Sequence, residues 1–216
     1  MAEGLFITAQ GISNPERTMS KQVEFFFDVG SPASYLAWTQ LPALCSDADA
    51  DLRLRPMLLG GVFQATGNAS PAAIPANGKY IFVDFARHAG RYGVPLHRNP
   101  HFPINTLTLM RAITGAQTRA PERLQELTDA VFKAIWVEKL NMNDPAVAST
   151  ALDSAGFSSE LITGWVSDAD IKARLKKTTE EAVQRGVFGA PTMFVNSEMF
   201  FGQDRLEWVR EALKAN

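Results

Sequence analysis

Val23-Glu-Phe-Phe-Phe-Asp-Val-Gly-Ser-Pro-Ala-Ser-Tyr-Leu36 is the stretch on which the fold turns. Its first part, Val23 to Phe27, is short, aromatic and β-branched, the pattern of a buried strand. Asp28 and Gly30 break that run. Ser31 then stands where a helix N-cap belongs, and Pro32 takes the first helical position, where a missing N–H costs nothing. The reading is strand, tight turn, helix, with Ser31 at the positive end of a helix dipole. That place suits an anion or a thiolate. On spacing alone, an ordinary capped helix explains Ser-Pro-x-Ser just as well.

Beyond Ser31, Tyr35, Leu36, Trp38 and Leu41 keep near-helical spacing, and Pro42 predicts a kink or a break. Cys45 follows with nothing basic beside it, so it reads as a small buried apolar side chain rather than a nucleophile. Asp51 to Met57 alternates polar and apolar residues, a strand with one buried face that Pro56 closes. A β-α-β unit thus spans about residues 23 to 57, and such a crossover makes parallel neighbours. From Leu58 to about Pro75 the chain is rich in Gly, Ala, Ser and Pro and is expected to be a long irregular segment, commonly a functional one. Asn68 within it can offer a ligand both donor and acceptor, or simply hold a turn.

The middle third is helical. Tyr80, Ile81, Phe82, Phe85, Ala89 and Tyr92 form an apolar stripe that Gly93 ends. Further helices are expected after Pro103, from Pro121, behind the caps Asp144 and Ser158, and from Asp168 or Asp170 to Gly186. Their aromatic residues read as core more readily than as a substrate pocket. Arg87 and Arg91 either solvate a helix face or steer a carboxylate. Then the period changes: Pro191 to Val195, Asn196-Ser197 and Glu198 to Phe201 predict a hairpin. A last amphipathic helix carries Leu206, Val209 and Leu213, with Asp204 as its expected N-cap and an anion pocket in the backbone N–H groups behind it.

The totals narrow the classes. The 216 residues allow one domain with an insertion or two small domains, and 46% hydrophobic with 20% charged residues is ordinary for a globular protein. A net charge of −2 gives no basic excess for nucleic acid, and no run approaches the roughly 18 apolar residues of a membrane span. A single cysteine excludes an intramolecular disulfide and makes a cytoplasmic setting the default. His97 and His101 lie four apart, but Pro95, Pro100 and Pro103 make that segment non-helical and a metal is not expected. Residues 1–19 look detached from the fold and read as an extension, with Met19-Ser20 a candidate natural start.

Four motifs in order carry a resemblance: Phe27 to Leu36, Gly67-Asn68, Phe188-Gly-Ala-Pro-Thr192 and Phe201-Gly-Gln-Asp-Arg-Leu206. Together they resemble the DsbA-like group of 2-hydroxychromene-2-carboxylate isomerases and kappa-class glutathione transferases, from Val23 to the C-terminus. The resemblance implies an α/β fold: a thioredoxin-like domain (20–68 and 187–216) with an inserted all-helical domain (69–186). In redox relatives the positions of Ser31-Pro-Ala-Ser34 hold C-x-x-C; with both thiols replaced, disulfide exchange at this site is excluded. Glutathione is the implied cofactor, and Ser31 the implied catalytic residue that stabilises its sulfur. A free thiol has a pKa of about 8.5, and each tenfold gain in acidity is about 1.4 kcal/mol. A helix N-terminus plus one hydrogen bond can supply one or two such factors.

The remaining glutathione contacts are also carried by the resemblance. Pro191 matches the family's cis proline and leaves the Ala190 backbone to pair with the cysteinyl part of the tripeptide. Asp204 and Arg205 match the positions that hold the γ-glutamyl end, Asn68 a glutathione-contacting asparagine, and Lys79 a basic residue beyond that loop. Ala190 stands where a larger aliphatic residue is usual, and Tyr35 is closer to the isomerase branch than to the transferase branch, where Trp is common. The implied activity is cis–trans isomerisation of an aromatic-degradation intermediate through a transient glutathione adduct. The alternatives are conjugation of glutathione to an electrophile and a non-catalytic glutathione-binding module. A homodimer is usual in the family.

Overall fold

The computed structural model describes residues 21–215, so the expected extension over 1–19 and the candidate start at Met19-Ser20 lie outside the described residues. β1 (Lys21–Phe27) pairs in parallel with β2 (Ala50–Pro56), with Val23 opposite Leu52. On its other side it pairs antiparallel with β3 (Thr192–Val195), Phe25 opposite Met193. β4 (Glu198–Phe201) completes the hairpin and the order β2-β1-β3-β4. The second half of β1, Phe25 to Phe27, is apolar on both sides because both faces of the sheet are covered there. Phe25 and Phe27 lie under Trp38 of α1 (Pro32–Asp47), with ring centroids 6.4 and 6.2 Å away. Phe26 points to the other face, into a smaller cluster with Met57, Val62, Ala182, Val187 and Phe194.

Two sequence expectations are corrected. α1 is not broken at Pro42 but runs on through it, with Leu36, Leu41, Leu44 and Cys45 buried on either side of the proline. The segment after Leu58 is not wholly irregular either: α2 covers Leu59–Thr66. Its first N–H, from Leu59, donates to Asp28 Oδ2 at 2.8 Å, a cap supplied from a distant turn. Gly61, a poor helix former, lets α2 approach its neighbour, since a Cβ there would lie 3.2 Å from Thr179 Cγ2. The chain leaves α2 through Gly67, in the left-handed region at φ 70°, and makes a short 3₁₀ turn at Pro71–Ala73.

The expected stripes become α3 (Pro75–Tyr92), α4 (Leu107–Arg119), α5 (Leu124–Trp136), α6 (Pro145–Ser154), α7 (Ser159–Ser167) and α8 (Ala169–Gln184). Asp144, Ser158 and Asp168 cap the last three through side-chain oxygens, and α9 (Leu206–Lys214) ends the described chain. This helical insert shares its core with the sheet. Phe132 of α5 lies 6.0 Å from Phe27 and 5.8 Å from Tyr35, and the Trp136 indole donates to the Val29 carbonyl at 2.8 Å. On the opposite face, buried Glu24 is bonded by both Arg55 and Arg185, whose guanidinium groups also cover Phe26 and Phe194. No helix among the described residues is long and apolar enough to cross a membrane.

Candidate active site

At the carboxyl end of β1 the chain turns through Asp28 to Ser31, closed by Ser31 N–H donating to the Asp28 carbonyl at 3.0 Å. Ser31 caps α1, accepting at Oγ from the Ser34 N–H at 3.1 Å, and is 5% exposed. Its own O–H donates to the Ala190 carbonyl at 3.0 Å. Ala190 precedes Pro191 through a cis peptide bond, at the position implied by the resemblance. A hydroxyl thus stands at the positive end of a sixteen-residue helix, opposite the cis-proline loop.

The Asp28 side chain holds this turn in place. Oδ1 accepts from Gly30 N–H at 2.9 Å, while Oδ2 accepts from Leu59 N–H at 2.8 Å and from the Thr106 hydroxyl at 3.0 Å. Burial pushes its carboxyl above the ordinary value, against the pull of those same bonds. Gly30 is needed here: a Cβ would lie 2.9 Å from Thr106 Cγ2. Cys45 is buried within α1 and outside the turn, its thiol pushed up to about 11 by burial first and by Asp51 second, which favours the protonated form.

Ser31 opens onto a cleft of about 680 Å³ lined by residues from stretches between Asp28 and Thr106 and between Phe188 and Arg205. Asn68, Ala190, Pro191, Asp204 and Arg205 line it together with Ser31. Asn68 spends both ends of its amide inside the protein: Nδ2 donates to the Phe188 carbonyl and Oδ1 accepts from Ala69 N–H, each at 2.8 Å. It ties the α2 exit to the cis-proline loop. Asp204 and Arg205 form an ion pair at the cleft edge, in a 3₁₀ turn over Gln203–Arg205. Asp204 is therefore not the N-cap of α9, a correction to the sequence reading; Arg205 holds that position without a side-chain cap bond. Gly202, at φ 101°, sets the chain direction into the turn.

Much of the apolar part of the cleft comes from the insert. Phe82 meets Phe85 and Phe102 edge-on at 6.1 and 5.6 Å, and Ile81, Ile104 and Phe63 join the lining. Phe82 and Phe85 thus pack against the core, as the stripe suggested, and also face a pocket. At the rim Phe188 and Phe201 lie 4.5 Å apart over Gly189, which has no room for a Cβ beneath the Phe201 ring.

Other residues singled out in the sequence lie elsewhere. Lys79 is exposed on α3 and does not line the cleft, nor do Arg87, which pairs with Asp84 at 3.5 Å, and Arg91. Tyr35 is buried and donates to the Pro95 carbonyl at 2.7 Å, away from the cleft lining. Residues 94–99, around His97, have no helical structure, and no group of three metal-ligating side chains occurs among the described residues. Sequence reasoning missed the Asp28 clasp and Gln203, buried at 6% exposure and part of the lining. The only signal for Asp28 was a carboxylate closing an otherwise apolar strand; for Gln203, its place within Phe-Gly-Gln-Asp-Arg-Leu.

A thioredoxin-like sheet with a helical insert, a cis proline and a hydroxyl-bearing first helix defines the class. The chain belongs to the DSBA-like thioredoxin domain family, whose model matches residues 22–214. Among named relatives, the 2-hydroxychromene-2-carboxylate isomerase of Pseudomonas putida is 30% identical over 193 residues, covering 88% of this chain and 93% of the relative. That of Sphingobium xenophagum is 28% identical over 197 residues, 90% and 99% of the two chains. Human glutathione S-transferase kappa 1 is 28% identical over 207 residues, covering 90% and 92%. A solved 2-hydroxychromene-2-carboxylate isomerase superposes with a TM-score of 0.79 at 29% identity, over 90% of this chain and 95% of that one. A probable DsbA oxidoreductase from Streptomyces coelicolor shares the fold, with a TM-score of 0.68 at 17% identity over 90% and 89% of the chains. The named relatives at 25–31% identity are isomerases and glutathione transferases, which sets the chain among the enzymes of this family.

Proposed function

We propose that this chain is a glutathione-dependent isomerase of the 2-hydroxychromene-2-carboxylate isomerase type. The observation that carries the reading is Ser31: a buried hydroxyl caps α1 and faces Ala190 before the cis Pro191, at a site without a protein thiol. The cleft fits the tripeptide by its donor chemistry. An adjacent carboxylate and guanidinium, Asp204 and Arg205, suit the ammonium and carboxylate of a γ-glutamyl end. When bound, glutathione supplies a thiolate whose reversible addition to a conjugated carbon leaves a single bond about which the substrate can rotate.

The chain's own residues do the rest. Ser31 turns its O–H from the Ala190 carbonyl to the sulfur, and the N-terminus of α1 adds its dipole, so the anionic form is favoured. Asn68 and the cis-proline loop fix one wall, and Phe82, Phe85 and Phe102 offer an apolar surface to an aromatic substrate. Lys79, exposed outside the lining, is not part of this proposal. A cytoplasmic homodimer, with a thioredoxin-like domain at 20–68 plus 187–216 and an inserted helical domain at 69–186, completes the reading.

A second reading, a kappa-class-like transferase, has one observation in its favour. Arg205 is the only cation lining the cleft among the described residues, and it is already paired with Asp204. Arg98 lies 5.2 Å from the Phe82 ring centroid but is outside the lining, so within the lining the aromatic surface has no unpaired cation for a substrate carboxylate and suits a neutral electrophile.

Two measurements decide. A thermal-shift titration tests occupancy, since ligand at 100 times its dissociation constant stabilises by about 2.7 kcal/mol. Isomerisation of a hydroxychromene carboxylate with catalytic glutathione supports the first reading; stoichiometric loss of glutathione to an electrophile supports the second. No shift with glutathione removes both and leaves a binding module for another small molecule.

A further inference from the structure

The turn Gln203–Arg205 lines the cleft, yet it is short, polar and exposed at two of its three positions. Its Asp204 and Arg205 side chains bond to each other, which sets their spacing but not their place relative to Ser31. Just before the turn, Gly202 N–H donates to the Pro191 carbonyl at 3.0 Å; the hold on the turn itself comes from the insert. Tyr92, in the last turn of α3, donates its hydroxyl to the Gln203 carbonyl at 2.9 Å, across 111 positions of sequence. The Tyr92 ring is held by His88, one helical turn earlier, at 5.8 Å between centroids, and His88 Nε2 lies 3.6 Å from Asp84 Oδ2. The same helix carries Phe82 and Phe85 into the cleft. One rigid element therefore bears the aromatic wall and grips the charged turn.

We propose that Tyr92 is a positioning residue that fixes the Gln203–Arg205 turn for the γ-glutamyl end of glutathione and ties that end of the site to the aromatic wall. The inference rests on the glutathione reading above. An ion pair on an unanchored turn must lose freedom when a ligand binds, and anchoring it beforehand removes that cost from association. The hydroxyl of Tyr92 acts through the Gln203 backbone.

Tyr92→Phe keeps the ring and deletes only the donor. Glutathione and cysteinylglycine, which lacks the γ-glutamyl group, are titrated calorimetrically into wild type and variant, with amide exchange at residues 203–206 followed in the ligand-free proteins. The expected result is an affinity for glutathione about five-fold weaker in the variant, the scale of one net hydrogen bond. Cysteinylglycine should bind both proteins within about two-fold, and KM for glutathione should rise more than kcat falls. Equal glutathione affinity overturns the proposal, and so does an equal loss for both ligands, which marks general loosening. Wild type that binds no glutathione sinks the cofactor reading itself. In that case faster exchange at 203–206 in Tyr92→Phe preserves the anchoring role, and unchanged exchange ends it.

Discussion

The Ser31 hydroxyl donates to the Ala190 carbonyl at 3.0 Å, joining the first turn of α1 to the cis-proline loop across 159 positions of sequence. That bond occupies the donor which the proposed chemistry needs. A ligand sulfur must outcompete a neutral carbonyl for it, and an anionic acceptor does so because charge-assisted bonds are about twice as strong.

Ser31→Ala removes both the donor and the cap. Turnover should fall by about 10²-fold or more, the scale of losing a main anion donor. Stability should fall by about 1–3 kcal/mol, from the lost cap bond to Ser34 N–H and the lost bond to the Ala190 carbonyl. Rate assays beside a melting curve check this, and unchanged turnover takes Ser31 out of the mechanism.

Asp28 should leave a signature in the pH dependence of stability. Burial holds its carboxyl above the ordinary value of 3.8, so the folded state keeps the proton more tightly than the unfolded chain. Stability therefore declines as pH rises from about 4 through the folded-state value, then levels. Asp28→Asn lacks this decline, so the stability advantage of wild type over the variant should shrink with rising pH. Urea unfolding from about pH 4 to about pH 8 tests it; a constant difference means that ionised Asp28 costs nothing.

Gly115→Ala sets two effects against each other. Alanine gains roughly 1 kcal/mol of helix propensity over glycine in α4. The new Cβ, however, would lie 2.6 Å from Trp165 Cβ, where α7 crosses. Since that contact is close to the backbone, overpacking of about 2–3 kcal/mol should win. A lower urea midpoint at unchanged slope is expected; a rise would show that α7 moves aside freely.

Cys45 should be inert in the folded protein. Its side chain is 2% exposed and its thiol is pushed up to about 11, so thiolate is scarce near neutral pH. Alkylation by iodoacetamide should be at least about ten-fold slower than in urea-unfolded protein, because reaction must wait for opening. Equal rates would mean the thiol is reachable and would reopen its role in the chemistry.

Much of the fold was legible because its signals are local. The stripe from Ile81 to Tyr92 lies within its helix, and the caps Asp144, Ser158 and Asp168 immediately precede theirs. The first two failures share a cause. Gly60-Gly61 argued against a helix, but α2 is held by the Asp28 carboxylate at one end and by close approach to Thr179 along its side. Pro42 argued for a break, yet buried side chains before and after it keep α1 in one piece. Asp204 resembled a cap, but Gly202 swings the chain so that this carboxylate meets Arg205 instead. In the first two cases tertiary contacts outweighed a local preference of about 1 to 3 kcal/mol; in the third one local geometry displaced another.

By itself the sequence determined that a buried strand ends in a tight turn with a hydroxyl at the mouth of a helix, because strand period and cap chemistry are written within a dozen residues. Only the tertiary structure decided what that hydroxyl meets, which carboxylate clasps the turn, and which tyrosine grips the charged loop. Those partners are 159, 31 and 111 positions apart, and a hydrogen bond between such distant groups leaves no mark on local periodicity.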